Sequence, residues 1–304
     1  MDETFEEFVE LCDIVGNDAQ LTQGSGGNIS VKDGGEMYIK ASGFLIKDVN
    51  KDTGFVKVDY KKLVSLLEAG KEVGSREVLD AKISEGELRP SMETNFHAFL
   101  KKYVVHHHSV NVNVLGCLKN AEKHLDAALG DDFAFVGYET PGGALARKVW
   151  ESDYEKEIIV LQNHGIILHG DDFGEVKKKI KNVESRVKKY LRENIEGFEE
   201  YSYKSLEKIV GGFVGAPEEL LEEVKKGYIF PDDVVFLHGK KIEVENGRVK
   251  YEGDLKEATN VDETLQANHF VLSNAEKLGE VRYLTEAEVN IIVNLDEEKY
   301  RRKN

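Results

Sequence analysis

The sequence predicts a layered α/β domain with a mostly antiparallel central sheet, followed by a small α+β region. Two observations support this fold class. Short apolar runs outnumber the strands that a repeating βαβ unit would need, and tight turns join many of them. The motifs that could carry chemistry thin out after about residue 200. We therefore predict one domain over residues 1–205 and a smaller domain, or a tail packed on the first, over residues 206–304.

The spacing of apolar residues and turn signals defines the predicted elements in order. The first are a helix ending at residues 16–17, a hairpin over 29–39, a strand over 55–58, a helix capped by Asp59, and a helix opened by Pro90 that carries Glu93 and His97. Next come a strand over 104–110 with valines continuing to Val114, a helix near 119–129, a strand over 133–136, a helix over 143–150, a strand pair around His164 and a Lys-rich amphipathic helix over 172–194.

Fewer elements are predicted beyond residue 206. They are a helix started by Pro217, short strands over 234–237 and 242–244, a hairpin at the Asn-Gly pair 246–247 that leads to a strand over 249–251, and two further helices, the last opened by a capping box at 285–288.

Charge and composition limit the possible partners. The formal net charge of −16 over 304 residues argues against nucleic acid and anionic membrane as main partners, because both require a basic surface. Cys12 and Cys117 lie in apolar contexts without CxxC spacing, which predicts reduced core residues. The sequence shows neither an apolar leader nor an apolar run of 18 residues. We expect a soluble cytoplasmic protein.

Three histidines predict a metal site. Side chains alternate along a strand, so His106 and His108 share one face of the predicted strand and His107 points the other way. His164 lies downstream in Asn-His-Gly, where Gly165 permits a close approach of the backbone. Three imidazoles with an open fourth position suit a catalytic zinc ion. The alternative is a histidine run without function, which a position inside an apolar strand disfavours.

A carboxylate is predicted close to these histidines. Glu93 and His97 are four residues apart on the predicted helix, which runs directly into the histidine strand. A carboxylate beside a metal-bound carbonyl can remove a proton from the α-carbon. The competing interpretation makes Glu93 part of a solvated helix face or a partner of the preceding turn. His97 is expected to be a core histidine or one that supports a ligand.

Two loops of small residues could hold an anion. The stretch 24–28, which includes Gly27 and Asn28, offers successive backbone N–H groups for a phosphate, and Ser42 with Gly43 forms a second such loop. Either loop could instead be only a turn. Neither matches a nucleotide-binding P-loop, and the first leads into a strand instead of a helix, so a dinucleotide fold is not supported.

These motifs together resemble the class II aldolase/adducin superfamily, which includes L-fuculose-1-phosphate aldolase. The resemblance covers about residues 5–195 and rests on pieces that occur in the family's order, namely Gly-Ser-Gly-Gly-Asn-Ile-Ser at 24–30, Ala-Ser-Gly at 41–43, Pro-Ser-Met-Glu at 90–93 with His97, the HxH of His106 and His108, and Asn-His-Gly at 163–165.

The resemblance implies an α/β/α layered domain that assembles as a homotetramer with active sites at subunit interfaces. It implies that His106, His108 and His164 bind Zn²⁺ or another divalent ion and that Glu93 is the catalytic acid/base. It also implies contacts to a small sugar phosphate substrate, made by the residues Gly27, Asn28, Ser42, Gly43 and Ser91. The reaction would be the retro-aldol cleavage of a phosphorylated ketose.

The sequence departs from the fuculose aldolase at two places. The region that matches the family's proton-donating tyrosine, near His124 and Leu125, has no tyrosine, and Tyr138 is a possible substitute. The compact enzyme also lacks a counterpart of the tail beyond residue 206, which contains the phrase Phe-Pro-Asp-Asp-Val-Val-Phe at 230–236. Epimerisation, dehydration or decarboxylation on the same scaffold therefore stays open, as does an adducin-like binding module without metal, which the retained histidines and Glu93 disfavour.

Overall fold

Seven strands from the first 170 residues form one sheet in the computed structural model, which describes residues 3–240 and 242–303. The strands are β1 (Asn28–Asp33), β2 (Glu36–Lys40), β3 (Phe55–Asp59), β4 (Tyr103–His107), β5 (Ala134–Val136), β6 (Ile158–Leu161) and β7 (Gly165–Gly170). Their order across the sheet is β3-β2-β1-β4-β7-β6-β5. Only β5 and β6 pair in parallel, so the prediction of a mostly antiparallel sheet is confirmed for the described residues.

Helices cover both faces of this sheet. They are α1 (Glu3–Gly16), α2 (Tyr60–Glu68), α3 (Ser75–Asp80), α4 (Thr94–Phe99), α5 (Val110–Gly116), α6 (Ala121–Leu129), α7 (Gly143–Glu151) and α8 (Phe173–Asn194). The alternation of β4 places Val105 in the core shared with α1, α5 and α8, and Val104 in the core under α4 and α7. His106 lies on the same face as Val104, edge-on to Phe96 of α4.

The chain beyond residue 206 adds a second sheet and five helices within the described residues. They are β8 (Glu207–Ile209), β9 (Gly212–Pro217), α9 (Leu221–Val224), α10 (Pro231–Leu237), β10 (Glu243–Glu245), β11 (Arg248–Tyr251), α11 (Leu255–Leu278), α12 (Glu286–Asn294) and α13 (Asp296–Lys303). Val271 and Leu272 of α11 are buried in the same apolar cluster as Val112 of α5. This region therefore packs on the first domain, and its division at residue 206 stays a prediction.

Several predicted elements are wrong. The strand that starts near residue 104 ends at His107, and the valines after it form α5, because the Ser109 hydroxyl accepts the N–H of Val112 and caps a helix. These valines are buried on all sides, so their apolar run did not distinguish strand from helix. Pro90 pairs with Ala41 in an isolated β-bridge, and the helix after it begins at Thr94.

The errors after residue 206 have similar causes. The predicted strand 234–237 lies in α10, whose first turn contains Pro231 and the capping carboxylate of Asp233. Pro217 ends β9 and is the N-cap of a 3-10 turn over residues 218–220 that leads directly into α9, so the helix predicted after it is present but short. Three helices follow the last hairpin where two were expected. That hairpin itself is confirmed, with positive φ angles of 53° at Asn246 and 75° at Gly247.

Two predictions from composition can be compared with the structure. Cys12 and Cys117 are free and completely buried, as expected of reduced core residues. Among the described helices, we find none with the length and apolar character that a membrane span requires.

Candidate metal centre

The three predicted histidines reach one point from two neighbouring strands. His106 is the fourth residue of β4, His108 follows the end of that strand, and His164 lies in the turn between β6 and β7. The turn is tight because Asn163 adopts a φ of 56° and Gly165 lies directly against β4. A Cβ on Gly165 would stand 2.5 Å from the carbonyl oxygen of His107, so only glycine lets the two strands approach this closely.

The imidazole nitrogens have the arrangement of a metal site. One nitrogen of each ring lies within 4.8 Å of the others, and all three side chains are buried. The Nδ1 atom of His106 is 3.0 Å from the carbonyl oxygen of Ile166, and Nδ1 of His108 is 2.9 Å from a carboxylate oxygen of Asp232. Each Nδ1 therefore carries the ring proton and donates a hydrogen bond, which leaves a lone pair on each Nε2.

The two Nε2 atoms provide a test of whether a cation fits. They are only 3.2 Å apart, so their lone pairs are directed at the same small volume. Two acceptors at this distance repel each other unless a cation lies between or beside them. The donor set of three imidazoles fits a divalent transition ion such as zinc.

Burial keeps two of these histidines, His106 and His164, in the form that binds metal. It lowers the pKa of His106 to about 4 and that of His164 to about 3, so both rings are neutral near neutral pH. His107 is also neutral, since burial lowers its pKa to about 3, but it points to the opposite face of the sheet. Only neutral imidazole has a lone pair to offer a metal ion.

Glu93 completes the cluster from the start of α4. It is the N-cap residue, and its Oε1 lies 3.3 Å from Nε2 of His164 and 3.6 Å from Nε2 of His106. Its Oε2 accepts a hydrogen bond of 3.2 Å from Nδ2 of Asn28. Burial alone would raise the pKa of Glu93, but the three neighbouring histidines and Asn28 outweigh it and lower that pKa below its ordinary value. Glu93 is therefore a carboxylate.

A single cleft brings the predicted substrate residues to this cluster. It encloses about 460 Å³, including the part open to solvent. All five predicted contacts line it together with Glu93, His108 and His164, and they are Gly27, Asn28, Ser42, Gly43 and Ser91. The Nδ2 atom of Asn28 also donates to the Ser91 hydroxyl at 2.7 Å, so these side chains form one hydrogen-bonded group beside Glu93.

Residues that the sequence did not indicate also line the cleft. Lys40 is almost fully buried, and its ammonium donates to the carbonyl oxygens of Ser25 and Phe44. Asp232 of α10 and two glutamates of α13, Glu297 and Glu298, reach the cleft from the far end of the chain. The alternation of β2 could have indicated a cleft-facing Lys40, but no local pattern indicates the three carboxylates.

Two residues considered in the sequence lie away from the reacting point. The Nδ1 atom of His97 is 2.7 Å from the Ser30 hydroxyl and the ring is fully buried, which confirms a core histidine. The ring of Tyr138 lies under the guanidinium of Arg282, 4.5 Å from its centroid. Tyr138 is not among the described residues that line the cleft, so it is not placed as a proton donor.

Comparison with known proteins agrees with the family that the motifs resemble. Residues 6–191 match the family model described as the Class II Aldolase and Adducin N-terminal domain. The chain is 26% identical over 194 residues to L-fuculose phosphate aldolase of Methanocaldococcus jannaschii, a match that covers 60% of this chain and 93% of that protein. A protein of Bacillus subtilis described as the uncharacterized oxidoreductase YuxG is 24% identical over 251 residues, or 75% of this chain. That match covers only 36% of the Bacillus protein.

A solved structure shows the same fold. The N-terminal class II aldolase domain of a conserved protein from Thermoplasma acidophilum superposes with a TM-score of 0.56 at 25% identity. The match covers 63% of this chain and 95% of that domain. The fold is therefore shared over nearly the whole of that domain.

Proposed function

The chain belongs to the class II aldolase and adducin family, and on that premise we propose that it is a zinc-dependent aldolase that cleaves a phosphorylated ketose. One observation carries the proposal. Three imidazoles converge on one point, and the ionised Glu93 faces the same point at 3.3 Å from His164 and 3.6 Å from His106. A binding module would not require buried lone pairs and a buried carboxylate, whose desolvation costs free energy.

The proposed chemistry divides between the histidines and Glu93. A divalent ion held by His106, His108 and His164 would supply Lewis acidity toward the ketone and its adjacent hydroxyl oxygen. In the cleavage direction the hydroxyl group on the carbon that becomes the aldehyde loses its proton to solvent and the carbon–carbon bond breaks. The electron pair of that bond passes to the ketone fragment as an enediolate, and this fragment then takes up a proton. Glu93 is the group placed to deliver this proton and, in the reverse direction, to remove it from the α-carbon.

The cleft offers groups for a phosphate at its other end. The loops that contain Gly27 and Ser42-Gly43 lie beside Lys40 and supply small residues and hydroxyl or backbone N–H donors. Asn28 has a second role, because its amide already holds Glu93 and Ser91. The proposed substrate is therefore a ketose phosphate whose ketone end lies at the histidines and whose phosphate lies at these loops. We also propose a homotetramer, as the family resemblance implies.

A second candidate uses the same residues. An enediolate stabilised beside Glu93 is also an intermediate of epimerisation, dehydration or decarboxylation, and the absence of Tyr138 from the cleft leaves no assigned donor for the aldehyde fragment. These reactions share the enediolate with aldol cleavage and give different products, so the products decide among them.

The experiment is a product analysis of the zinc-loaded protein. It is incubated with a panel of ketose phosphates, with the matching free ketoses and with a phosphorylated β-keto sugar acid, which is the kind of substrate that decarboxylation requires. The His106→Ala/His164→Ala variant serves as the control. Cleavage of a ketose phosphate to a triose phosphate and an aldehyde by the wild-type protein alone is the expected result. An epimer, a dehydrated product or released carbon dioxide would replace the aldolase with the second candidate, and no reaction with any of these substrates would contradict the phosphate assignment.

A further inference from the structure

We propose that Asp232 is a positioning residue of the metal centre, which the C-terminal region supplies to orient His108. The inference rests on the proposed function in requiring that His108 bind the metal. The carboxylate oxygen Oδ2 of Asp232 lies 2.9 Å from Nδ1 of His108, and Nε2 of the same ring lies 3.2 Å from Nε2 of His106. Asp232 therefore contacts the side of the ring opposite to the proposed metal.

This geometry defines what the carboxylate does. By accepting a hydrogen bond from Nδ1–H, the carboxylate fixes the tautomer in which Nε2 carries the lone pair. The same bond fixes the rotation of the imidazole ring about its side chain. An anionic acceptor also makes the imidazole a stronger donor to a cation than a neutral acceptor would. His106 receives the equivalent support from a backbone carbonyl, that of Ile166 at 3.0 Å. His108 lies beyond the end of β4 and has the Asp232 carboxylate in that role.

Asp232 is held in place by its own neighbours. It follows Pro231 at the start of α10, and the next residue, Asp233, accepts the backbone N–H groups of Ile229 and Phe230, both at 2.9 Å. Asn268 of α11 donates to the same Asp233 oxygen at 2.8 Å, which fastens this turn to the long helix. A buried hydrogen-bonded turn of this kind fixes the direction of the side chain that it carries.

A glycine leaves the space in which Asp232 and His108 meet. Gly26 lies against both partners, and a Cβ there would stand 2.6 Å from Oδ2 of Asp232 and 2.7 Å from Nδ1 of His108. Any larger residue at this position would push the pair apart. The contact between His108 and Asp232 thus requires a glycine at position 26, in addition to any role of this loop in binding substrate.

The C-terminal region contacts the His164 turn as well. Nδ2 of Asn163 donates to the carbonyl oxygens of Ile229 at 2.9 Å and Arg282 at 2.7 Å. Ile229 belongs to the same turn that carries Asp232. The two histidines outside β4 proper are therefore both supported by one segment, residues 229–233, while His106 is supported by the sheet.

The test compares metal affinity in Asp232→Ala and Asp232→Asn with that of the wild-type protein. Zn²⁺ binding is measured by competition with a chromophoric chelator, the absorption spectrum is recorded after Co²⁺ is bound instead, and thermal unfolding is followed without metal. Asp153→Asn, which makes the same charge change on an exposed side chain, is the matched control. We expect the dissociation constant to rise roughly 10- to 100-fold in Asp232→Ala, with a shifted Co²⁺ spectrum.

Asp232→Asn separates orientation from charge. Its amide oxygen can accept the same hydrogen bond without the charge, so we expect a smaller loss of affinity and a Co²⁺ spectrum closer to that of the wild-type protein. Unchanged affinity and spectrum in Asp232→Ala would overturn the inference. The inference would also be overturned if Asp232→Ala lost Zn²⁺ affinity, kept the wild-type Co²⁺ spectrum and unfolded at a lower temperature without metal, because a general loss of stability would then explain the result.

The failure of the metal site itself gives a different result. If the wild-type protein binds no Zn²⁺, or if His106→Ala/His164→Ala binds as much as the wild type, the proposed function fails together with this inference. If the wild type binds one ion that the double variant loses, and Asp232→Ala binds as tightly as the wild type, only the role of Asp232 is overturned.

Discussion

The two walls of the cleft are built in different ways. The histidine wall consists of His108, His164 and Glu93, which line the cleft, together with His106, whose Nε2 lies 3.2 Å from that of His108. The strand ladder between β4 and β7 holds its central part in register. The C-terminal wall consists of Pro231, Asp232, Glu297 and Glu298, which come from the short helices α10 and α13. Register fixes the first wall to within one residue, because a slip would turn every side chain to the other face. Helix packing, together with the hydrogen bonds of the turn before α10, fixes the second wall.

This difference separates two kinds of function. Of the residues proposed to carry the chemistry, His106 lies on β4, His108 directly follows that strand and His164 directly precedes β7, so the ladder between β4 and β7 resists their displacement. Glu93 reaches them from the start of α4. The residues that shape and charge the rest of the cleft lie on appended helices, where substitution can change the cleft without disturbing the sheet. The following predictions test this division, beginning with the largest expected effect.

Removing the histidine wall should remove the metal. In His106→Ala/His164→Ala a single imidazole remains, so we expect metal content to fall from one ion per chain to near none and activity to be lost. Metal analysis of the folded, purified protein measures this. His107→Ala is the control, because His107 points to the opposite face and should lose stability through the cavity it leaves while keeping its metal. Full zinc occupancy in the double variant would contradict the site.

Neutralising Glu93 should slow the reaction without removing the metal. The amide oxygen of Glu93→Gln can still accept the hydrogen bond from Asn28, but it cannot take up a proton. We expect turnover to fall by roughly 10²-fold or more. The specific measurement is the solvent deuterium that enters the α-carbon of a dihydroxyacetone-phosphate-like ketone. Exchange as fast as in the wild type would exclude Glu93 as the base.

The two walls should have opposite effects on stability as the pH changes. Burial raises the pKa of Asp233, which anchors the C-terminal wall, from 3.8 to about 7. Its folded form then binds a proton more tightly than the unfolded chain, so its contribution to stability is lost as the pH rises toward about 7. His106 and His164 have lowered pKa values, so their contribution is lost as the pH falls below about 6.5, the ordinary histidine value.

Asp233→Asn tests this sign. Without metal, the wild type should lose up to about 2 kcal/mol of its free energy of unfolding between about pH 5 and about pH 7 through Asp233, since one pKa unit corresponds to about 1.4 kcal/mol. The Asp233→Asn variant should not show this loss. Urea unfolding at the two pH values gives this difference, and the absolute loss caused by the substitution cancels from it. An identical pH dependence in the two proteins would mean that Asp233 does not titrate as the fold predicts.

Substitutions at the two ends of the cleft should change substrate affinity in opposite directions. Ser42→Ala removes a proposed phosphate contact and should raise KM for a ketose phosphate. Glu298→Gln replaces a buried carboxyl group of the same cleft by an amide that cannot carry a negative charge, and should lower KM. We expect changes of about 2- to 10-fold, the range of one hydrogen bond. Asn28→Ala is a less specific probe, because it also releases Glu93. Equal changes in KM for the free ketose would mean that these loops are only turns.

The sequence predicted the histidine wall because its signals are local. Strand alternation placed His106 on one face and His107 on the other, and the structure has this arrangement. His108 lies just past the last residue of β4, so the alternation predicted its direction although the strand had ended. The choice of His164 over His97 rested on a glycine that allows close approach, and the close contact of Gly165 with β4 is the physical reason.

The errors arose where burial replaced local preference. Val112 and Val114 favour a strand by their side chains, yet the Ser109 cap and complete burial place them in α5. The prediction of a strand at Val234-Val235-Phe236 is wrong for the same reason. The Pro-Asp-Asp signal before it did indicate a helix start, and giving it more weight than the β-branched residues would have predicted α10 correctly.

The sequence by itself determined the sheet, the three convergent histidines and the group of small and polar residues that share their cleft. The sheet and the histidines follow from spacing and turn chemistry over short stretches, and the family resemblance implied that the small and polar residues share their site. Only the tertiary structure decided that Asp232 meets His108 and that Glu298 enters the cleft. Those contacts join residues more than a hundred positions apart, and they depend on how α11 packs against α5. The way in which buried helices pack depends on how the shapes of many side chains fit together, and no short sequence pattern predicts that fit.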